Sequence, residues 1–237
     1  MKKNIIITID GPAGAGKTTV AKEVAKRLGF LYLDTGAMYR AITLKALNEG
    51  ITVEKEEKLV EMIKETILIA KKDEKKGMRI WVDGEEVTDK IRTEEVTNNI
   101  WWVCRVKAVR EKMKKLQREI GSDGKIVVEG RDIGTVVFPK APYKFYLDAS
   151  INERAKRRWL EQKNKGMESE LKKIKQDIEK RDKSDMEREL APLKKAEDAV
   201  HVDTTGLTIE KVVDKILAYI TKNKGQNRGT TDDGRGT

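Results

Sequence analysis

Ile5-Ile6-Ile7-Thr8-Ile9-Asp10-Gly11-Pro12-Ala13-Gly14-Ala15-Gly16-Lys17-Thr18 is the stretch from which the rest of the chain is best read. Its opening run is rich in β-branched residues and lacks polar alternation, the pattern of a strand buried on both faces of a parallel sheet. The residues from Gly11 to Thr18 satisfy G-x-x-x-x-G-K-[ST] at every defined position. Glycines let the backbone curl with its N–H groups facing inward, and the helix that follows directs its positive dipole end to the same point. That helix is legible in Val20, Ala21, Val24, Ala25 and Leu28, which recur at helical spacing before Gly29 stops them. Strand, cradling turn and amphipathic helix together predict a triphosphate site. Gly11, Pro12, Ala13, Gly14, Ala15, Gly16, Lys17, Thr18 and Thr19 are the expected contacts. Lys17 would reach the β- and γ-phosphates, and the Thr18 hydroxyl would ligate Mg²⁺.

Working outward, further strand-like runs occur at Phe30-Leu31-Tyr32-Leu33, Ile126-Val127-Val128, Tyr143 to Leu147 and Ala199 to Val202, with helical patterns between them. The alternation predicts an α/β protein, a P-loop core with a five-stranded parallel sheet flanked by helices. The stretch from Ile51 to Ile100 is different. A helix pattern covers Leu59, Val60, Ile63, Ile67 and Leu68, and Asp83-Gly84 separates two strand-like runs as a hairpin turn would. An α+β insertion is expected there. Ser150-Ile151-Asn152-Glu153 reads as a capping box opening a helix that carries Arg154, Arg157 and Arg158, and a second charged helix should run from Ser169 towards Asp182. Thr208 is a plausible cap for a last helix whose stripe is Val212, Val213, Ile216, Leu217 and Ile220. The expected division is a core of 1–33 and 102–221, an insertion of 34–101, a short helical lid of about 152–185 within the core span, and a flexible tail of 222–237.

Composition limits the chemistry. Apolar residues are 38% of the 237 and charged residues another 38%, with 50 Lys+Arg against 40 Asp+Glu, so a core is available beneath an unusually charged surface. One cysteine, Cys104, excludes an intramolecular disulfide, and one histidine, His201, excludes a His-based zinc site. His201 lies in the apolar run Ala199-Val200-His201-Val202 and reads as part of a strand rather than of a Ser-His-Asp triad. No apolar run approaches the ~20 residues of a membrane span. The Met1-Lys2-Lys3-Asn4 start and its isoleucines superficially resemble a secretory signal, but Asp10 interrupts too short an apolar region. A cytoplasmic protein without a membrane partner is expected.

A phosphate loop alone does not name a reaction. The guanine-reading Asn/Thr-Lys-x-Asp tetrad is missing from the sequence, as is an apolar strand ending in Asp-Glu. Acidic-arginine clusters recur instead: Asp34-Thr35-Gly36-Ala37-Met38-Tyr39-Arg40, then Glu129-Gly130-Arg131-Asp132-Ile133-Gly134-Thr135-Val136-Val137-Phe138-Pro139, then Arg181-Asp182-Lys183-Ser184-Asp185-Met186-Glu187-Arg188 leading into Ala191-Pro192-Leu193.

In this order, and together with the phosphate loop, these segments resemble the bacterial cytidylate kinases, a family of nucleoside monophosphate kinases, over about Ile5 to Ile220. The resemblance implies transfer of the ATP γ-phosphoryl to CMP or dCMP with Mg²⁺, and a body made of core, monophosphate-binding insertion and lid. It places Arg40, Arg131 and Arg188 on the acceptor phosphate, with Asp34 and Thr35 in the same segment. Arg110 and Asp132 fall on the cytosine, and Arg181 and Asp185 on the ribose hydroxyl. Arg154, Arg157 and Arg158 supply the lid arginines, so that Lys17, Arg131, Arg154, Arg158 and Arg181 form the expected catalytic set. The physics agrees: an ionised phosphate oxygen needs no strong base, and arginine forks suit the holding of two polyanions in line. One departure is Trp101, a bulky indole where the family usually places a small hydroxyl residue near the base. Alternatives are a kinase for UMP or another monophosphate, and a basic module that binds nucleic acid, suggested by the net charge of +10. The cytidylate kinase reading, with a monomeric chain and no nucleic acid partner, is the expectation.

Overall fold

In the computed structural model, which describes residues 5–73, 77–164 and 166–223, the isoleucine run forms β1 (Ile6–Asp10) at the centre of a parallel sheet. The chain continues through α1 (Lys17–Leu28), β2 (Leu31–Asp34) and α2 (Thr35–Asn48), then α3 (Glu56–Glu65). Three short strands follow: β3 (Leu68–Asp73), β4 (Gly77–Val82) and β5 (Glu85–Glu86). The remainder is α4 (Glu94–Val103), α5 (Lys107–Ile120), β6 (Ile126–Gly130), β7 (Tyr143–Asp148), α6 (Ile151–Asn164), α7 (Leu171–Glu187), β8 (Val200–Asp203) and α8 (Ile209–Asn223).

The large sheet has the order β2-β6-β1-β7-β8 and every pairing is parallel. Neither neighbour of β1 follows it directly in the chain, so the connections diverge on both sides of it. A crevice opens at such a point beyond the carboxyl ends of the strands, where α/β sheets bind ligands. Side chains alternate across the sheet as the pleat requires. Ile7, Ile9, Val127, Phe145 and Leu147 pack with α1 and α8 on one face. Ile126, Val128 and Leu33 pack on the other with Met38, Ile42, Leu59, Ile63, Ile80 and Met113. That second cluster runs without a break from the parallel sheet into the antiparallel β3-β4-β5 sheet. The α6–α7 pair has a much smaller apolar centre of Ala155, Ile174 and Ile178.

The five expected core strands, the Asp83-Gly84 hairpin, the Gly29 stop and the Thr208 cap are all present. Asp83 and Gly84 both adopt positive φ, 51° and 87°, as a primed turn requires. Some expectations need correction. The helix expected to reach Leu68 ends at Glu65, and Leu68 begins β3 instead. Two periodic apolar residues after a helix read equally well as another turn or as a strand opening, and here pairing with Val82 decided the matter. The second charged helix extends past Asp182 to Glu187. Only half of the capping box forms: Ser150 Oγ accepts from Glu153 N at 3.3 Å, while the Glu153 carboxylate binds Arg157 and Ser150 N donates to Thr205. α8 reaches Asn223, so the expected tail begins within a helix, and 224–237 lie outside the described residues. No described helix is long and apolar enough to cross a membrane.

Candidate active site

The phosphate loop is shaped by its surroundings as much as by its glycines. A Cβ on Gly11, whose φ is +146°, would stand 1.9 Å from the Leu147 carbonyl oxygen, so the strand-to-loop corner admits only glycine. Gly14, at φ +78°, faces the backbone and Cβ of Arg154 at 3.0–3.3 Å. The loop is thereby wedged between β7 and α6. Ala13 is gripped from both sides of its peptide unit: its N–H donates to Asp182 Oδ1 at 3.2 Å and its carbonyl accepts from Arg154 Nη1 at 3.0 Å. Arg154 also donates to the Ala149 carbonyl at 2.9 Å and pairs with Asp182. Its guanidinium therefore ties the loop to both α6 and α7. Arg157 similarly reaches the Thr204 hydroxyl and carbonyl at 3.0 and 2.7 Å, while Arg158 pairs with Glu161 one turn along α6.

Lys17 is buried at the head of α1, where its ammonium donates to the Pro12 carbonyl at 2.7 Å. Burial first, and then the positive charge of Arg131, pull its pKa well below the usual lysine range. Arg181 acts in the same direction. Asp10 and Gly130 are register partners on adjacent parallel strands, so the phosphate loop and Arg131 leave the sheet side by side.

The arginines form a chain of alternating charge. Arg110 Nη2 lies 2.5 Å from Asp132 Oδ2, and Arg188 Nη2 lies 3.6 Å from Asp132 Oδ1. Arg188 Nη1 approaches Asp185 Oδ1 at 3.5 Å, and Arg131 Nε meets Asp185 Oδ2 at 2.8 Å. Burial and then the nearby Arg131 lower the pKa of Arg181, against the opposing charge of Asp185. Arg40, which donates to Thr97 at 2.8 Å, is pulled down to about 10 by burial and then by Arg181. Arg188 is 8% exposed, yet its Nη2 makes no hydrogen bond among the described residues. A buried guanidinium nitrogen that makes no hydrogen bond, with its nearest carboxylate oxygen 3.6 Å away, leaves room for an anionic or carbonyl-bearing ligand.

Asp34 and Thr35 have local work as well. Asp34 caps α2 by accepting from Ala37 N at 2.9 Å and lies 3.4 Å from Arg92, and the Thr35 hydroxyl donates to the Glu129 carbonyl at 2.7 Å. Trp102 is buried, whereas Trp101 is 44% exposed and stacks against Arg105, which donates to Ser184 of α7 at 3.2 Å. Thr19 is exposed on the first turn of α1.

Four residues of the site were not singled out from the sequence. Glu129 is the penultimate residue of β6 and is buried; it accepts from the Thr18 hydroxyl at 3.1 Å and from the Tyr32 hydroxyl. Burial raises its pKa, with Asp34 adding to the effect. The available signal was an apolar strand closing on a carboxylate, which a search for Asp-Glu passes over. Arg92 adds its charge beside Arg40. Asp182 holds the loop, and Asp10 bonds the turn after β6. Their partners are 169 and more than 120 residues away in sequence, so spacing carried no sign of them.

A glycine-rich loop between a central parallel strand and a helix, faced by a cluster of arginines, defines a P-loop phosphotransferase. Residues 7–222 match the family model described as cytidylate kinase. The chain belongs to the cytidylate kinase family. It is 50% identical over 225 residues to a cytidylate kinase of Geobacillus sp. (strain WCH70), covering 95% of this chain and all of that one. Against cytidylate kinases of Anoxybacillus flavithermus and Bacillus cereus the identity is 50% and 49% over 220 residues, 93% of this chain and 97% of each relative. Among solved structures, an uncharacterized protein from Eubacterium ventriosum superposes with a TM-score of 0.52 at 14% identity, covering 93% of this chain and 99% of that one. TT1252 from Thermus thermophilus gives 0.50 at 18%, with coverage of 94% and 98%. At these identities the likeness speaks for the fold alone.

Proposed function

We propose that this protein transfers the γ-phosphoryl group of ATP to CMP and dCMP, forming ADP and CDP or dCDP. The observation that carries the reading is geometric. Asp10, which precedes the phosphate loop, is the register partner of Gly130, which precedes Arg131, so loop and arginine cluster leave adjacent strands together and triphosphate and monophosphate would meet end to end there. Two polyanions repel, and the site supplies the opposite charge from both sides. Arg40, Arg131 and Arg188 hold the acceptor phosphate, where planar forks bind oxygens bidentately. Asp132, oriented by Arg110 and Arg188, accepts from the exocyclic amine of cytosine, a pairing that uracil cannot offer. Arg181 and Asp185 take the ribose hydroxyl, and Arg154 and Arg158 bring the lid helices over the transferred group. The attacking oxygen is already ionised, so positioning and charge stabilisation suffice.

The donor set suits Mg²⁺. No cluster of three or more His, Cys, Asp or Glu able to hold a metal occurs among the described residues. Mg²⁺ instead favours one or two protein oxygens together with phosphates and water. Thr18 would be its direct ligand, with the Glu129 carboxylate 3.1 Å behind that hydroxyl to orient a metal-bound water. When bound, the ion neutralises the β- and γ-phosphate oxygens. We assign residues 34–101 to an acceptor-binding insertion and about 152–185 to a lid, and take the chain to act as a monomer.

The test is ADP formation with CMP, dCMP, UMP and AMP compared in parallel at equal concentration. CMP and dCMP should lead; a clear preference for UMP or AMP would overturn the acceptor assignment.

A further inference from the structure

Asp10 is the last residue of β1, one position before the phosphate loop, and its side chain is buried. No cation lies within ion-pair distance of it among the described residues. Both carboxylate oxygens are spent on backbone instead: Oδ1 accepts from Ile133 N at 2.9 Å and Oδ2 from Gly134 N at 2.7 Å. These two amides open the wide helical turn at Ile133–Val137, whose later amides bond within the turn, Val136 to the Asp132 carbonyl and Phe138 to that of Ile133. The first amides of a helical turn have no partner inside it. Asp10 supplies both from another strand.

The turn is pressed closely onto β1. A Cβ on Gly134 would stand 3.0 Å from Thr8 Oγ1, 3.3 Å from Asp10 Oδ2 and 3.3 Å from Lys144 Cδ. Asp132 immediately precedes the turn and orients Arg110 and Arg188. A buried carboxylate is an expensive way to bond two amides, because a neutral acceptor avoids the desolvation of the charge. Burial raises its pKa to about 6 even though both amide bonds act against the rise.

We infer that Asp10 is a positioning residue for the acceptor: its carboxylate fixes the Ile133–Gly134 turn, and through it Asp132, in register with the strand that feeds the donor loop. The inference rests on the proposed acceptor role of Asp132. It gives the two halves of the site one shared anchor, so the base-reading carboxylate keeps its place relative to the phosphate loop.

The test uses Asp10→Asn in the full chain. An asparagine keeps the shape, offers one acceptor oxygen and turns an NH₂ towards the other amide. The KM for CMP should rise roughly tenfold, as for loss of a charged hydrogen bond, while the KM for ATP changes less than twofold and the melting temperature does not fall. Gly134→Ala, which keeps Asp10 but pushes the turn away, should give the same CMP-selective rise and serves if the first variant does not fold. Folded variants with an unchanged KM for CMP, or with equal rises for both nucleotides, would overturn the assignment. A wild-type chain that phosphorylates neither CMP nor dCMP would instead remove the acceptor reading, and this inference with it.

Discussion

The phosphate loop and the proposed acceptor pocket would hold phosphate with different materials. The loop is contiguous, made chiefly of backbone N–H groups, and kept in shape by steric walls such as the Leu147 carbonyl behind Gly11. The pocket is discontinuous. Its guanidinium groups come from α2, α5, the turn after β6, and α7 with its C-terminal end, and four ion pairs through Asp132 and Asp185 link those of Arg110, Arg188 and Arg131 into one chain. A backbone site carries no net charge when empty. A side-chain site concentrates like charges that repel, and the pKa values of Arg40 and Arg181 are lowered by burial first and then by a neighbouring guanidinium. Carboxylates are therefore part of its construction, and substitutions should injure the two regions in different ways.

Lys17→Ala should break the donor side most severely. Loss of the one ammonium in the loop is expected to lower kcat about a thousandfold, with the circular dichroism spectrum unchanged; an active variant would remove Lys17 from the site. Asp132→Ala should instead break folding on the acceptor side. It leaves Arg110 and Arg188 buried beside each other without a shared carboxylate, at a cost of about 3 kcal/mol. In a chain of this size that corresponds to a melting temperature lower by roughly 6–12 °C, measurable by calorimetry without nucleotide.

A pH titration sharpens the contrast at the point where the regions meet. Asp10 titrates at 3.8 in its ordinary state and at about 6 in the folded protein. The folded chain thus retains a proton that the unfolded chain has released, and the associated stability is complete below the lower value and lost as pH rises through the higher. Relative to Asp10→Asn, the wild-type chain should lose up to about 3 kcal/mol across that window in urea unfolding. Parallel curves for the two proteins would show that the carboxyl is not held in its protonated form by burial. Arg188→Ala should have the smallest effect of the four. Its Nη2, which makes no hydrogen bond and only a 3.6 Å ion-pair contact with Asp132, predicts a KM for CMP raised about tenfold to thirtyfold, with ATP binding measured by calorimetry within twofold of wild type. Equal losses for both nucleotides would mean that the two regions are not separable through this residue.

Legibility in the sequence followed the same division. The loop and its flanking strand and helix could be read outright, because the residues that make them are neighbours and each type has a local mechanical reason. The arginine and aspartate clusters could be noticed as strings, but their pairing could not. Nothing in Arg131-Asp132 says that the arginine turns to Asp185 on α7 while the aspartate turns to Arg110 on α5. Arg154 read as a lid arginine; the structure directs its guanidinium to Ala13, Ala149 and Asp182, where it also serves as a strap on the loop. Leu68 was drawn into the preceding helix because periodicity has no knowledge of a partner strand.

What the amino-acid order settled alone is the set of features whose interactions close within a few residues: the curled loop, the caps at Gly29 and Thr208, the hairpin at Asp83-Gly84, and the buried character of the core strands. Tertiary structure decided which charge faces which. Asp10 meets Ile133 and Gly134, and Asp182 meets Ala13. Such contacts depend on the order in which strands enter the sheet, a collective outcome of burying apolar faces that no single segment encodes.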